Sequence, residues 1–161
     1  MIYHEPVLLK ESIEGLKINP KGIYVDATFG GGGHSKEILK KLTRGKLFAF
    51  DQDGEAVKNT IDDARFVLIN QNFKNLKALM KLQNAIPLDG LLADLGVSSH
   101  QFDSSERGFS IRFDSELDMR MSKDTQLTAK EIINTYTDKD LKRMFFMYGE
   151  VRNAAKLSNL I

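Results

Sequence analysis

The ten residues Asp26-Ala27-Thr28-Phe29-Gly30-Gly31-Gly32-Gly33-His34-Ser35 set four consecutive glycines between an apolar run, Ile23-Tyr24-Val25, and a helical pattern from Ser35 to Leu42. Within that pattern Ile38, Leu39 and Leu42 share one face. Glycine adopts positive φ without steric penalty and lets another molecule approach the main chain. The start of a helix adds unpaired N–H groups and a positive dipole end. Strand, glycine turn and helix in that order read as a nucleotide-type site. The plainer alternative is a tight strand-to-helix turn, but one glycine would serve it and each further one costs chain entropy.

Working outward, three more apolar runs have strand length: Leu47-Phe48-Ala49-Phe50, Phe66-Val67-Leu68-Ile69, and Leu88 to Leu95 with Asp89 and Asp94 inside it. They are β-branched, aromatic and leucine-rich without polar alternation, the texture of strands covered on both faces. Between the third and fourth, Lys74 to Leu82 places Leu76, Leu79 and Met80 on one helix face with lysines opposite. Alternating strands and helices joined by right-handed crossovers predict an α/β fold with a doubly wound parallel sheet.

After Leu95 the texture changes. Gly96 to Asp124 carries six acidic residues (Asp103, Glu106, Asp114, Glu116, Asp118, Asp124), four basic ones (Arg107, Arg112, Arg120, Lys123) and few apolar runs, which reads as an excursion out of the sheet. Thr128 followed by Glu131 spells a capping box ahead of Ile132-Ile133, and Asp138 to Met147 is amphipathic. Gly149 interrupts, and a further helical stretch runs from Glu150 to Ile161. The expected division is a ligand-binding α/β domain over 1–103 and a helical insertion or substrate-recognition subdomain over 104–161. With four strands the sheet is incomplete, so Leu88 to Leu95 is expected to leave a long unpaired edge that favours a homo-oligomer.

Spacing narrows the ligand. The dinucleotide fingerprint needs a third glycine where this chain has Ser35, and no Gly-Lys-Ser/Thr follows to make a P-loop. Asp51, at the end of the second strand and about 20 residues past the glycines, can accept both hydroxyls of a ribose, or it is simply a solvated loop acid beside Asp53. Asp26, just before the loop, suits a cationic ligand. An adenosine without an essential pyrophosphate, joined to a sulfonium amino acid, meets these demands: S-adenosyl-L-methionine.

Several segments carry a closer likeness. They are His4-Glu5-Pro6-Val7-Leu8-Leu9 with Glu11; Gly22 through Ser35; Asp51-Gln52-Asp53; Asp94-Leu95-Gly96-Val97-Ser98-Ser99 with Gln101; Glu106-Arg107-Gly108-Phe109-Ser110; Leu117-Asp118-Met119-Arg120-Met121; and Tyr148-Gly149-Glu150 with Arg152. In these the chain resembles the bacterial 16S rRNA cytosine-N4 methyltransferases, over nearly its whole length. The resemblance implies a Rossmann-like methyltransferase fold and S-adenosylmethionine as cofactor. It further implies methyl transfer to the exocyclic N4 of a cytidine in small-subunit rRNA. Gly32, Gly33 and His34 would lie against the methionine part, Asp51 would hold the ribose, Phe73 would lie near the adenine, and Asp94 and Gln101 would complete the pocket. By themselves Phe73 could be a core aromatic and Gln101 a loop amide. Asp94, at the end of the fourth strand, is the catalytic candidate, with Ser98 and Ser99 as alternatives. Arg107, Arg112 and Arg120, interleaved with Phe109 and Phe113, suit an extruded base or else form salt bridges inside a helical insertion. Members of this family are close to twice as long, so the chain resembles an N-terminal portion. A catalytically silent S-adenosylmethionine-binding module stays an alternative, and a nucleotide-binding oxidoreductase a more distant one.

Composition removes other classes. Lys+Arg 23 against Asp+Glu 22 gives a net charge of +1, so bulk charge drives the chain onto neither nucleic acid nor membrane. Cys 0 excludes a disulfide framework, a thiolate metal site and a cysteine nucleophile, and His 3 leaves too few imidazoles for a His-rich zinc site. No apolar run approaches the roughly 20 residues that span a bilayer, and Met1 to Pro6 lacks the basic and apolar regions of a signal peptide. A cytoplasmic, metal-free protein working on the small ribosomal subunit, without membrane contact, is the expectation.

Overall fold

The computed structural model describes residues 6–161, so His4 and Glu5 of the segments above lie outside the described residues. By their contacts the residues fall into two compact units, one running to Ser99 with Met121–Lys123, the other His100–Arg120 with Asp124–Ile161.

The first unit holds α1 (Leu9–Gly15), β1 (Ile23–Asp26), α2 (Gly33–Lys41), β2 (Lys46–Phe50), β3 (Phe66–Ile69), α3 (Leu76–Leu82) and β4 (Gly90–Leu92). The strands form one parallel sheet in the order β3-β2-β1-β4. Side chains alternate across it. Tyr24, Leu47, Ala49 and Phe66 enter one core with Ile38, Leu39 and Leu42 of the α2 segment. Val25, Phe48 and Phe50 enter the other with Met80 of α3 and Ala85. The sheet is thus doubly wound, as the unalternating apolar runs predict, because both faces are buried. The crossover from β3 to β4 reverses the direction of strand addition, which opens a crevice beyond the carboxyl ends of β1 and β4.

One sequence expectation is corrected here. The edge strand is only Gly90–Leu92, not Leu88 to Leu95. On its near side the Asp89 carboxylate accepts the Ile23 N–H at 2.8 Å. On its far side the Asp94 N–H donates to Thr28 Oγ1 at 2.7 Å. These two side-chain bonds replace ladder bonds and end the strand at both sides.

The second unit is described by itself. It contains α5 (Ala129–Thr135), α6 (Asp138–Gly149) and α7 (Ala154–Ser158), with the short α4 (Ser99–Asp103) bridging the boundary in sequence. Thr128 and Glu131 form the expected capping box on α5. The tail departs from expectation: α6 is ended by Glu150 in the left-handed region (φ 52), and α7 starts only after Asn153. Glu150 rather than the preceding glycine takes the strained position. No described helix is long and apolar enough to cross a membrane.

Candidate functional site

The glycine turn is held open by its neighbours. Gly30 and Gly32 have φ of 50° and 75°, in the left-handed region that glycine occupies without strain. The Gly30 N–H donates to Asp51 Oδ2 at 2.8 Å, and Asn59 Nδ2 donates to the Gly30 carbonyl at 2.9 Å. Both backbone groups of Gly30 are therefore fixed from outside the loop. Gly33 is required differently: a Cβ there would stand 2.2 Å from Cγ of Pro6, so the described start of the chain lies directly on the turn.

Asp26 behaves otherwise than a ligand-facing acid would. It is buried, its Oδ1 accepts the Thr28 N–H at 3.1 Å and its Oδ2 accepts the Ser35 hydroxyl at 2.7 Å. Burial pushes its carboxyl above the usual range, against the opposing pull of the Ser35 and Thr28 bonds. Its work is to tie the end of β1 to the first turn of α2. Through Thr28 Oγ1 the same tie reaches the main chain of Asp94.

Asp51 is partly open. Besides Gly30, its Oδ1 accepts the Asp53 N–H at 2.9 Å. A carboxylate has about four acceptor positions, so two remain for a ligand diol. Burial raises its carboxyl as well, outweighing the main-chain N–H groups of Asp53, Gly30 and Gln52 that favour the charged form.

A cleft of about 160 Å³ lies beyond the ends of the strands, lined by Val7, Leu8 and Ser12, by His34, and by Leu92, Ala93 and Asp94. His34 is buried, and its Nε2 finds no hydrogen-bond partner among the described residues. A buried imidazole nitrogen without a partner costs on the order of 1–3 kcal/mol, which a ligand's polar group would recover. The arrangement offers a polar end-group site at His34 and the glycine main chain, a diol site at Asp51, and a half-exposed aromatic ring at Phe73, just past β3.

Of the residues expected from sequence, His34 and Asp94 line this cleft, Gly32 and Gly33 directly precede His34 in the chain, and Asp51 is joined to the glycine turn through Gly30. Gln101 is buried in α4 and belongs to the second unit. Two of the three arginines read as base-handling candidates are engaged internally. The buried Arg107 donates to the Arg120 carbonyl at 2.9 Å and lies 5.9 Å from the Phe109 ring centroid, and Arg120 forks onto Asp118. Arg112 is exposed, 3.6 Å from Asp103. Sequence alone assigns no role to Thr28, Asn59 or Ser12. A threonine after Asp-Ala is the one signal for the first; the others carry none.

The sequence model of the MraW methylase family matches residues 1–161. A protein of Christiangramia forsetii named ribosomal RNA small subunit methyltransferase H is 57% identical, over 100% of this chain and 54% of its own length. Proteins of the same name from Flavobacterium johnsoniae and Bacteroides thetaiotaomicron are 58% and 51% identical, over 100% of this chain and 54% and 53% of theirs. The chain thus spans about half the length of the curated relatives it matches. A solved rRNA methylase from Streptococcus thermophilus shares 25% identity over 49% of each chain, at a TM-score of 0.38.

Proposed function

Because the chain belongs to the MraW methylase family, we propose that it is the cofactor-binding part of an enzyme that methylates the exocyclic N4 of a cytidine in small-subunit rRNA. What supports the reading beyond the family is the cleft at the β1/β4 switch, lined by Asp94 and by His34, whose Nε2 has no partner among the described residues. S-adenosylmethionine, bound here, supplies an electrophilic methyl group on a sulfonium. The residues present fit it. Gly32, Gly33 and His34 Nε2 take the amino-acid end, Asp51 accepts the ribose hydroxyls with its two spare positions, and Phe73 packs on the adenine. Asp94 faces the acceptor amine, accepts one of its N–H groups and orients its lone pair, so that positioning supplies most of the rate. Gln101 joins the pocket on the resemblance alone.

The names of the relatives support the small ribosomal subunit as partner and hence the cytoplasm as location. The exposed edge of β4 can pair with a second copy over Gly90–Leu92 only. Light scattering that finds monomer alone removes that partner from the proposal.

The test is transfer of labelled methyl from S-adenosylmethionine to small subunits, followed by digestion to nucleosides. Label in N4-methylcytidine is expected. Label confined to another nucleoside contradicts the acceptor assignment, and cofactor binding without any transfer reduces the chain to a binding module.

A further inference from the structure

The stretch 64–88 contains no Asp or Glu, in a chain that has 22. It does contain Lys74, Lys77 and Lys81, all exposed, at i, i+3 and i+7 of the segment that runs from the turn Phe73–Asn75 into α3. That spacing puts three ammonium groups along one helix face over roughly 10 Å. None of the three has a carboxylate within ion-pair distance among the described residues. The opposite face is accounted for: Met80 is fully buried, and Leu76 and Leu79 pack on the core under β1 and β2. Exposed amides flank the ridge at both ends, Gln71 before it and Gln83 and Asn84 after it, while Asn70 and Asn72 donate to the Asp51 and Asp53 carbonyls and to Gln52.

We infer that this lysine ridge is a contact surface for the phosphodiester backbone of RNA. A solvated surface helix ordinarily intersperses acids among its lysines, and the chain does so elsewhere, as Lys40 with Glu37 and Lys10 with Glu14 show. Here the lysines stand without acids among them, beside the exposed amides of Gln71, Gln83 and Asn84, the donor set that binds phosphate and sugar oxygens without reading bases. A membrane surface fits less well, since the apolar face that would enter lipid is already buried in the core. The ridge starts one residue after Phe73, so RNA lying on it would pass the rim of the cofactor site. The inference rests on the RNA-substrate part of the proposed function.

The experiment is binding of labelled small-subunit rRNA at 50 to 200 mM salt, with titration of S-adenosylhomocysteine in parallel, for the wild-type chain and two double variants. Lys77→Gln with Lys81→Gln is expected to weaken RNA binding about 5- to 20-fold. It should also flatten the plot of log affinity against log salt by about 0.7 for each phosphate no longer neutralised. Lys77→Arg with Lys81→Arg should restore both, and cofactor affinity should not move in either. Glutamine keeps helix propensity, so the variants fold. Unchanged RNA affinity and salt slope in the glutamine variant, or ridge-dependent binding to anionic vesicles with none to RNA, overturns the inference. If the wild type binds S-adenosylhomocysteine but not RNA, the ridge falls and the cofactor reading stands. If it binds RNA through the ridge but no cofactor, the reverse holds.

Discussion

Asp51 serves two partners: it latches the glycine turn through Gly30 and keeps two acceptor positions for a ligand diol. Asp51→Ala removes both, and should weaken S-adenosylhomocysteine binding by about 1.5–3 kcal/mol, the range for hydrogen bonds to a charged group. Calorimetry giving unchanged affinity would remove Asp51 from the site. Its pH behaviour follows from burial. The folded-state carboxyl lies above its ordinary 3.8, so the folded state binds the proton more tightly than the unfolded chain. As pH rises from there through the raised value, this group's contribution to stability falls. Over the same window the ionised form, which accepts hydroxyls, becomes available and ligand affinity should rise. Asp51→Asn should flatten that rise; an identical pH profile in the variant contradicts the assignment. Two further residues separate loop from fold. A Cβ at Gly32 would lie 2.9 Å from the buried Phe29 ring at φ +75, so Gly32→Val disturbs the core as well as the ligand path, whereas Gly30 has open space around it. Gly30→Ala should therefore cost about 1 kcal/mol of stability for its left-handed backbone. It should lower ligand affinity by more than that, read by thermal melts beside calorimetry; affinity at the wild-type level would leave the loop a mere turn.

At the scale of elements, α5 offers a test independent of any ligand. Thr128→Ala should destabilise its unit by about 1 kcal/mol, within the roughly 0.5–2 typical of lost N-caps, seen as a lower denaturation midpoint. Glu131 accepts from the Thr128 N–H and hydroxyl, which hold its carboxyl below its ordinary range. That contribution is present above the ordinary value and is lost as pH falls through the depressed one, so the mutational effect should shrink in acid. A pH-independent effect would contradict the capping account. This helix start was legible because a capping box is local, its two ends, Thr128 and Glu131, three positions apart. The four strands were legible because strands buried on both faces show no polar alternation. The length of β4 was not, since what ends it is the pair of bonds from Asp89 to Ile23 and from Asp94 to Thr28, each joining residues 66 apart in sequence. The glycine turn was legible from composition; its fastening by Asn59, 29 residues away, was not. The arginines of the excursion show the same limit: charge is visible in sequence, but whether Arg107 and Arg120 point at RNA or at a neighbouring carbonyl and Asp118 is decided by folding.

At the scale of the molecule, a net charge of +1 means that the proposed RNA affinity would have to come from local ridges, and a parallel sheet with its switch between β1 and β4 sets one crevice beyond the strand ends for the proposed chemistry. The tie from Ser35 through Asp26 and Thr28 to Asp94 joins the helix that follows the glycine turn to the strand end that, on the proposed reading, would face the acceptor. The claim on which the account stands is that this crevice takes S-adenosylmethionine and not a dinucleotide. Titration calorimetry of the 161-residue chain with S-adenosylhomocysteine and, separately, with NAD measures it most directly. The account predicts one saturable site for S-adenosylhomocysteine and no heat of binding for NAD. Saturable binding of NAD with none of S-adenosylhomocysteine would contradict it.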